Sequence, residues 1–379
     1  MESIHDFLTG HQEEHLQLLT TLAQIPAPSG QEEKRAGFCK NWLDAQGAEG
    51  VYIDEALNVI HPVGVTESNP LVVFAAHSDV VFPDTDPLPL KIEDGKIFCP
   101  GIGDDTSCVA ALMMCAKYIA QNRLQPKDCG ILLVINSCEE GLGNLKGTKK
   151  LFADFGHRVQ AFVTFDDHDY RAVNKAVGSR RYCIAIDTEG GHSYGAFGNR
   201  NAIACLASLI DTLYGIQVPP MGKTTYNVGT ISGGTSVNTI AQHAEMLYEF
   251  RSDCRESLAI MENHMNRAIE EVRFKGISVT VTPVGDRPCS GPVDEGKMQA
   301  LMDRAAALTR LHHGRDITFG SGSTDCNVPL SMGIPAICVG CYEGAGAHTR
   351  EEYVIIDSLL PGLRFACDMI LCHFQGDTP

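Results

Sequence analysis

Acids and histidines stand where short apolar runs end in this chain. Leu71-Val72-Val73-Phe74-Ala75-Ala76 leads into His77-Ser78-Asp79, Ile131-Leu132-Leu133-Val134-Ile135 leads to Cys138-Glu139-Glu140, and Ala161-Phe162-Val163-Thr164-Phe165 leads into Asp166-Asp167. Between the first two lies Gly101-Ile102-Gly103-Asp104-Asp105, and Gly346-Ala347-His348 follows much later. Ligands of open α/β sheets bind outside the carboxyl ends of the strands, so residues distant in sequence can meet at one edge. Imidazole and carboxylate together suit zinc, cobalt or manganese, whereas calcium takes oxygen ligands alone. His77, Asp104, Glu140, Asp166 and His348 are five candidate ligands. That is too many for one open catalytic zinc and suits two divalent ions sharing a bridging carboxylate. The charges agree: two ions bring four positive charges, three carboxylates remove three, and a bridging hydroxide removes the last. Two metals about 3.5–4 Å apart activate water and polarise a carbonyl, which is hydrolase chemistry.

Glu139 remains outside that set. Adjacent residues diverge, so Glu140 can ligate while Glu139 takes a proton from water and returns it to a leaving nitrogen. Asp79, two residues beyond His77, can accept the hydrogen on the imidazole nitrogen facing away from the metal. Taken singly, each motif matches an ordinary turn, a solvated helix start or a loop. Their order, at successive strand ends, is what carries information.

The elements that must position these residues follow from periodicity. Helical patterns near 12–24 and 31–46 are separated by the breaker Ile25-Pro26-Ala27-Pro28-Ser29-Gly30, and an apolar helix follows Asp105. Near-continuous apolar strands alternating with helices predict an α/β fold, a mostly parallel sheet flanked by helices. After Gly178 the pattern changes: strand 181–188, helix 199–213, strands 227–232 and 243–251, helix 255–272 and strand 277–283. That β-α-β-β-α-β order is ferredoxin-like. The α/β pattern then resumes with a strand at 334–340 and a helix at 356–374. The expected organisation is a catalytic domain of residues 1–178 and 290–379 interrupted by an inserted domain of residues 179–289. Gly320-Ser321-Gly322-Ser323-Thr324-Asp325 reads as a glycine-rich loop without the lysine of a phosphate loop, and as part of a substrate pocket through Ser323.

Composition narrows the partners. A formal net charge of −17 argues against nucleic acid and anionic membranes. No apolar run approaches the roughly 20 residues of a membrane span. The polar start Met1-Glu2-Ser3-Ile4-His5-Asp6 lacks the basic segment of a signal peptide, so the expected compartment is the cytoplasm. Fifteen cysteines then read as reduced, buried thiols, and Cys338-Val339-Gly340-Cys341 as core rather than a redox or zinc motif.

With these residues in place, the chain resembles the dinuclear-zinc metallopeptidases that include tripeptide aminopeptidase (peptidase T), glutamate carboxypeptidase, acetylornithine deacetylase and aminoacylase. The signatures are His77-Ser78-Asp79, Gly103-Asp104-Asp105, Glu139-Glu140-Gly141 and His348, and the likeness spans nearly the whole chain. The resemblance implies that Asp104 bridges two ions, zinc or else cobalt or manganese. His77 and Asp166 would complete one site, and Glu140 and His348 the other. Asp166 is taken from Asp166-Asp167-His168-Asp169 because it falls at the family's acidic position. The Asp104–Asp105 peptide is expected to be cis, Glu139 the general base and Asp79 the support for His77. The inserted domain would be a lid and dimerisation domain whose His192, in Gly190-Gly191-His192-Ser193, reaches across a homodimer to steady the oxyanion. Asn238 and Arg251 match family positions that contact substrate, and the guanidinium suits a bidentate carboxylate.

The expected function is a cytoplasmic exopeptidase hydrolysing di- or tripeptides, most like the peptidase T branch. An N-acyl amino acid deacylase with the same site is the second reading, and a non-catalytic metal-binding scaffold the third. Substrate side chains, cleavage from the amino or carboxyl end, and the native metal are not readable from the chain.

Overall fold

A computed structural model describes residues 3–166 and 170–374. Asp167, His168 and Asp169, the alternatives to Asp166, lie outside the described residues. The chain divides into two compact units, Met1–Ala176 with Pro292–Pro379, and Val177–Gly291.

The first unit is built on an eight-stranded sheet. Its order is Tyr52–Ile53, Val59–Val63, Gly130–Asn136, Leu71–His77, Val159–Phe165, Ala336–Val339, Arg171–Ala176 and Thr318–Gly322. The four central strands run parallel, and antiparallel neighbours join on either side at Val59–Val63 and Arg171–Ala176. All seven residues of Leu71–His77 and all seven of Gly130–Asn136 are buried, as a sheet covered on both faces requires. Alternate residues serve opposite cores. Val72, Phe74, Ala76, Ile131, Leu133 and Ile135 pack under the helices Gln12–Gln24, Cys108–Gln121 and Ile356–Leu371. Leu71, Val73, Ala75, Leu132 and Val134 face the side of Lys146–Phe155 and Asn327–Ser331. The helix Cys108–Gln121 is apolar on every side because it is buried on nearly every side.

Register decides which side chains meet. His77 pairs with Asn136, Ala75 with Thr164 and Val339 with Phe165. The segments 78–79, 137–140 and 166 therefore leave the sheet along one edge. Gly320–Gly322, read from sequence as a loop, instead closes the edge strand Thr318–Gly322, which pairs in parallel with Arg171–Ala176. Glycine is depleted in strands, and that hides the element from a propensity reading.

The second unit contains the strands Gly178–Asp187, Thr224–Gly233, His243–Ser252 and Ser278–Arg287 and the helices Ala202–Tyr214 and Arg255–Phe274, in the order β-α-β-β-α-β. Its antiparallel sheet places Gly178–Asp187 and His243–Ser252 in the middle, with Thr224–Gly233 and Ser278–Arg287 at the edges. Leu206, Leu209, Leu213, Met261, Met265 and Ile269 from the two helices pack against Ile184, Ile186, Met246 and Phe250. Asn201 caps the first helix by accepting from Ile203 N at 2.9 Å and Ala204 N at 3.3 Å.

All fifteen cysteines are free thiols, and Cys338 and Cys341 are buried in the two cores of the first unit. Among the described residues, no helix is long and apolar enough to cross a membrane.

Candidate active site

The sheet edge gathers the predicted ligands. His77 ends its strand with its side chain 1% exposed, and its Nε2 lies 3.0 Å from Asp104 Oδ1 and 4.0 Å from Asp166 Oδ1. His348 Nε2 lies 3.2 Å from Asp104 Oδ2 and 3.0 Å from Glu140 Oε1. Three overlapping sets, each with ligand atoms within 4.8 Å of one another, share these residues: His77, Asp104 and Asp166; Asp104, Glu140 and His348; and His77, Glu139 and Glu140. Asp104 belongs to two of the sets, and Glu139 stands at the third.

Local backbone geometry explains how Asp104 gets there. Gly101–Ser107 forms no regular helix: Asp104 and Asp105 have non-helical torsions, and the peptide between them is cis. Gly103 is pressed against the Tyr342 ring, where an added Cβ would fall 2.6 Å from the hydroxyl. Asp105 turns inward, and its Oδ2 accepts the His77 amide at 2.8 Å.

Asp79 does more than the sequence implied. Its Oδ1 accepts Glu139 N and its Oδ2 accepts Glu140 N, both at 2.9 Å, and Oδ2 also accepts the Ser29 hydroxyl at 2.6 Å. The nearest acceptor for His77 Nδ1 is the main-chain carbonyl of Asp79 at 3.1 Å, while the carboxylate stands at 3.5 Å. The carboxylate therefore fixes the Glu139-Glu140 backbone as well as flanking the imidazole. Cys138, just before this pair, has φ +58°, a conformation uncommon for a side-chain-bearing residue.

Four supporting residues escaped the sequence reading. Glu352, 2% exposed, accepts Gly101 N at 2.7 Å through Oε2, and Gly103 N at 2.9 Å and Asp104 N at 2.8 Å through Oε1. Glu32 accepts Gly30 N at 2.8 Å and Cys138 N at 3.1 Å. Arg35, wholly buried, donates to Ile25 O and, at 2.9 Å, to Ser78 O. Asp325 accepts Asn136 Nδ2 at 2.5 Å and the Thr148 hydroxyl, bracing the strand beside His77. Of these four, only Asp325 lay within a motif quoted from the sequence.

The electrostatics call for positive charge. Burial and the neighbouring Asp104 and Glu139 raise the Glu140 carboxyl to about 7 despite the His348 contact. Burial opposes ionisation of Asp104, yet hydrogen bonds from His348 and His77 hold it below the usual carboxylate range. His348 is raised to about 10 by its hydrogen bonds to Asp104 and Glu140. Burial and Asp104 together raise Glu352 to about 7, against the pull of its three amide donors. Glu140 and Glu352 are thus raised by burial among acids, while Asp104 is lowered only through the two imidazoles that face it. The donor set, imidazole nitrogens with converging carboxylates, fits divalent transition metals.

In the second unit, His192 lies on the short strand Gly191–His192, paired with Thr239–Ile240. It is exposed, and its Nδ1 accepts Tyr194 N and Gly195 N at 3.3 Å each. Asn238 is close by, its carbonyl accepting Ser193 N at 2.9 Å. Arg251 forks onto Glu249, with Nε at 3.0 Å and Nη2 at 3.1 Å from its two oxygens. Ser323 lines a cavity of about 660 Å³ in the first unit together with Tyr170, Arg171, Arg315 and Phe319. None of the five ligand candidates lines that cavity.

A sequence model of peptidase family M20/M25/M40 matches residues 73–371. The chain belongs to this family and is an enzyme of the metallopeptidase and amidohydrolase class. It is similar to a peptidase M20 domain-containing protein of Schizosaccharomyces pombe, 27% identical over 240 residues, a match spanning 61% of this chain and 58% of that protein. It is also similar to a putative succinyl-diaminopimelate desuccinylase of Mycobacterium tuberculosis, 24% identical over 353 residues, 91% of this chain and 94% of the relative. The crystal structure of a tripeptidase from Staphylococcus aureus has the same fold, with a TM-score of 0.77 at 23% identity over 95% of this chain and 97% of that one.

Proposed function

We propose that this enzyme hydrolyses the amide bonds of di- and tripeptides with two divalent ions held by His77, Asp104, Glu140, Asp166 and His348. One observation carries the reading: the two Asp104 oxygens face different imidazoles, Oδ1 that of His77 at 3.0 Å and Oδ2 that of His348 at 3.2 Å. A carboxylate split in this way supports a bridging role. His77 and Asp166 then complete one position, and Glu140 and His348 the other. When bound, such ions lower the pKa of water and polarise the scissile carbonyl. Zinc suits the donors, as do cobalt and manganese.

Glu139 moves the proton. Asp79 accepts its backbone N–H at 2.9 Å, which fixes the main chain from which the Glu139 side chain extends. It accepts a proton from the attacking water and delivers it to the leaving nitrogen. His192 serves from the second copy of a homodimer formed through the inserted unit, which acts as a lid. With its Nδ1 accepting amide hydrogens, the neutral ring carries its proton on Nε2, the donor an oxyanion requires. Exposed apolar side chains on that unit, among them Phe197, Ile231 and Val237, support an interface there. Asn238 and Arg251 contact the substrate, whose carboxylate competes with Glu249 for the guanidinium. Ser323, which follows the strand Thr318–Gly322, contributes to a substrate subsite. The free thiols suit a reducing compartment, the cytoplasm.

The second reading is an N-acyl amino acid deacylase, favoured by the similarity to a desuccinylase along 91% of this chain. A scaffold without turnover is the third. A panel of dipeptides, tripeptides and N-acyl amino acids, assayed with zinc, cobalt or manganese, separates them. Hydrolysis of peptides alone supports the proposal; hydrolysis of acylated amino acids alone, or of nothing, replaces it.

A further inference from the structure

A second cluster of metal-ligating side chains lies elsewhere in the first unit, where three helices meet. His5 stands in the first turn of Ile4–Gly10, His312 in the last turn of Glu295–His313, and Asp368 in the last turn of Ile356–Leu371. His5 Nε2 is 3.2 Å from Asp368 Oδ1 and 3.1 Å from Oδ2, and His312 Nε2 is 2.7 Å from Oδ2. The imidazoles meet edge to face, with centroids 5.4 Å apart. One ligand atom from each of the three residues falls within 4.8 Å of the others.

We propose that His5, His312 and Asp368 form a separate mononuclear site for a borderline divalent cation such as Zn²⁺, stapling the amino-terminal helix to the last two helices of the catalytic unit. Two imidazoles and one carboxylate are a zinc donor set that water completes to four, and they are a poor match for oxygen-seeking calcium or magnesium. Zinc bonds of about 2.05 Å set tetrahedral edges of about 3.3 Å, so the His5 contacts already fit and the His312 contact must open by about half an ångström. The same 3.0–3.2 Å spacing recurs between His77, Asp104, Glu140 and His348 at the candidate active site.

The surroundings favour a cation. The two longer helices turn their carboxyl ends, with their partial negative charge, toward the cluster. His312 and Asp368 are 6% and 5% exposed, while His5 is 32% exposed and so reachable from solvent. The helix Ile4–Gly10 has seven residues, fewer than an isolated helix needs to persist in water, and is held otherwise by buried Ile4, Phe7 and Leu8 and by the Arg364 guanidinium donating to the Thr9 hydroxyl at 2.9 Å. A ligand bond from its first turn therefore has a structural consequence.

The test compares wild type, His5→Gln and Asp368→Asn after chelation and dialysis, each titrated with Zn²⁺ and assayed by elemental analysis and thermal melting. Wild type is expected to hold one equivalent more than either variant, and zinc is expected to raise its melting temperature by more than it raises that of either variant. Because His5 is partly exposed, His5→Gln is the variant that keeps the fold if Asp368→Asn does not. Equal zinc content in wild type and His5→Gln would overturn the proposal and leave a hydrogen-bonded clamp in which Asp368 accepts from both imidazoles. The reading is a difference of one equivalent between proteins with the same active site, so it stands apart from how many ions that site takes.

Discussion

Glu352 holds Asp104 by its backbone: the carboxylate accepts the Asp104 amide at 2.8 Å while also taking the amides of Gly101 and Gly103. The side chain proposed to bridge two ions thus sits on a loop whose donors are collected by one buried acid 248 positions away. Glutamine cannot replace that acid evenly, because its amide nitrogen would face a backbone N–H. Glu352→Gln is expected to lower metal affinity 10- to 100-fold, the usual range for residues that orient ligands, and to lower thermal stability. Metal titration followed by melting checks both, and wild-type affinity in the variant would remove Glu352 from the positioning role.

The roles proposed for Glu139 and Asp104 separate proton transfer from metal retention. Glu139→Gln is expected to lose turnover and keep its metal, because the proposal makes it a proton carrier and not a ligand. Asp104→Ala is expected to lose at least one ion. Elemental analysis beside an activity assay distinguishes the two, and metal loss in Glu139→Gln would refute its role.

The proposed action of His192 across a dimer makes a further demand. Mixing His192→Ala with Glu139→Gln subunits, each inactive alone, is expected to restore part of the activity, because a heterodimer contains one site with both residues intact. Subunit exchange must be shown by mass. Full exchange without recovered activity would count against action across the dimer.

His15 and His61 give the fold an acid limit. Burial lowers each imidazole to about 4, and His15 Nε2 and His61 Nδ1 have no hydrogen-bond partner among the described residues. The unfolded chain binds these protons below about 6.5 and the folded chain only near 4, so stability is complete above 6.5 and drains away as pH falls toward 4. For His15 alone the loss between pH 7 and pH 5 is about 2 kcal/mol. Urea unfolding of His15→Leu at both values is expected to show a smaller drop than wild type. An identical drop would mean that other groups set the acid limit.

What the sequence disclosed depended on how each element is buried. Parallel strands covered on both faces read as unbroken apolar runs, so the ends at His77 and Phe165, and the acids after them, stood out. The inserted unit was legible because its helices and strands are long and amphipathic. The four-stranded sheet of Lys91–Glu93, Lys96–Phe98, Gly344–Ala345 and Tyr353–Ile355 was not, since strands of two or three residues show no period. Glu352 was hidden for a different reason. It lies in the polar run Arg350-Glu351-Glu352, where only a contact far away in sequence distinguishes one glutamate from the next. The Arg251–Glu249 fork was equally invisible, because a two-residue spacing on a strand puts both side chains on one face without saying that they will pair.

The inserted unit divides the catalytic unit into two stretches of chain, and the division imposes a timetable. Asp104 and Glu140 belong to the first stretch, while Glu352 and His348 belong to the second, made only after the whole insertion has left the ribosome. Domains fold as units during synthesis. A growing polypeptide would thus complete its inserted unit while the hydrolytic pocket still lacks its last wall, and a truncated product ending there would carry most of a peptidase with no means of cutting anything.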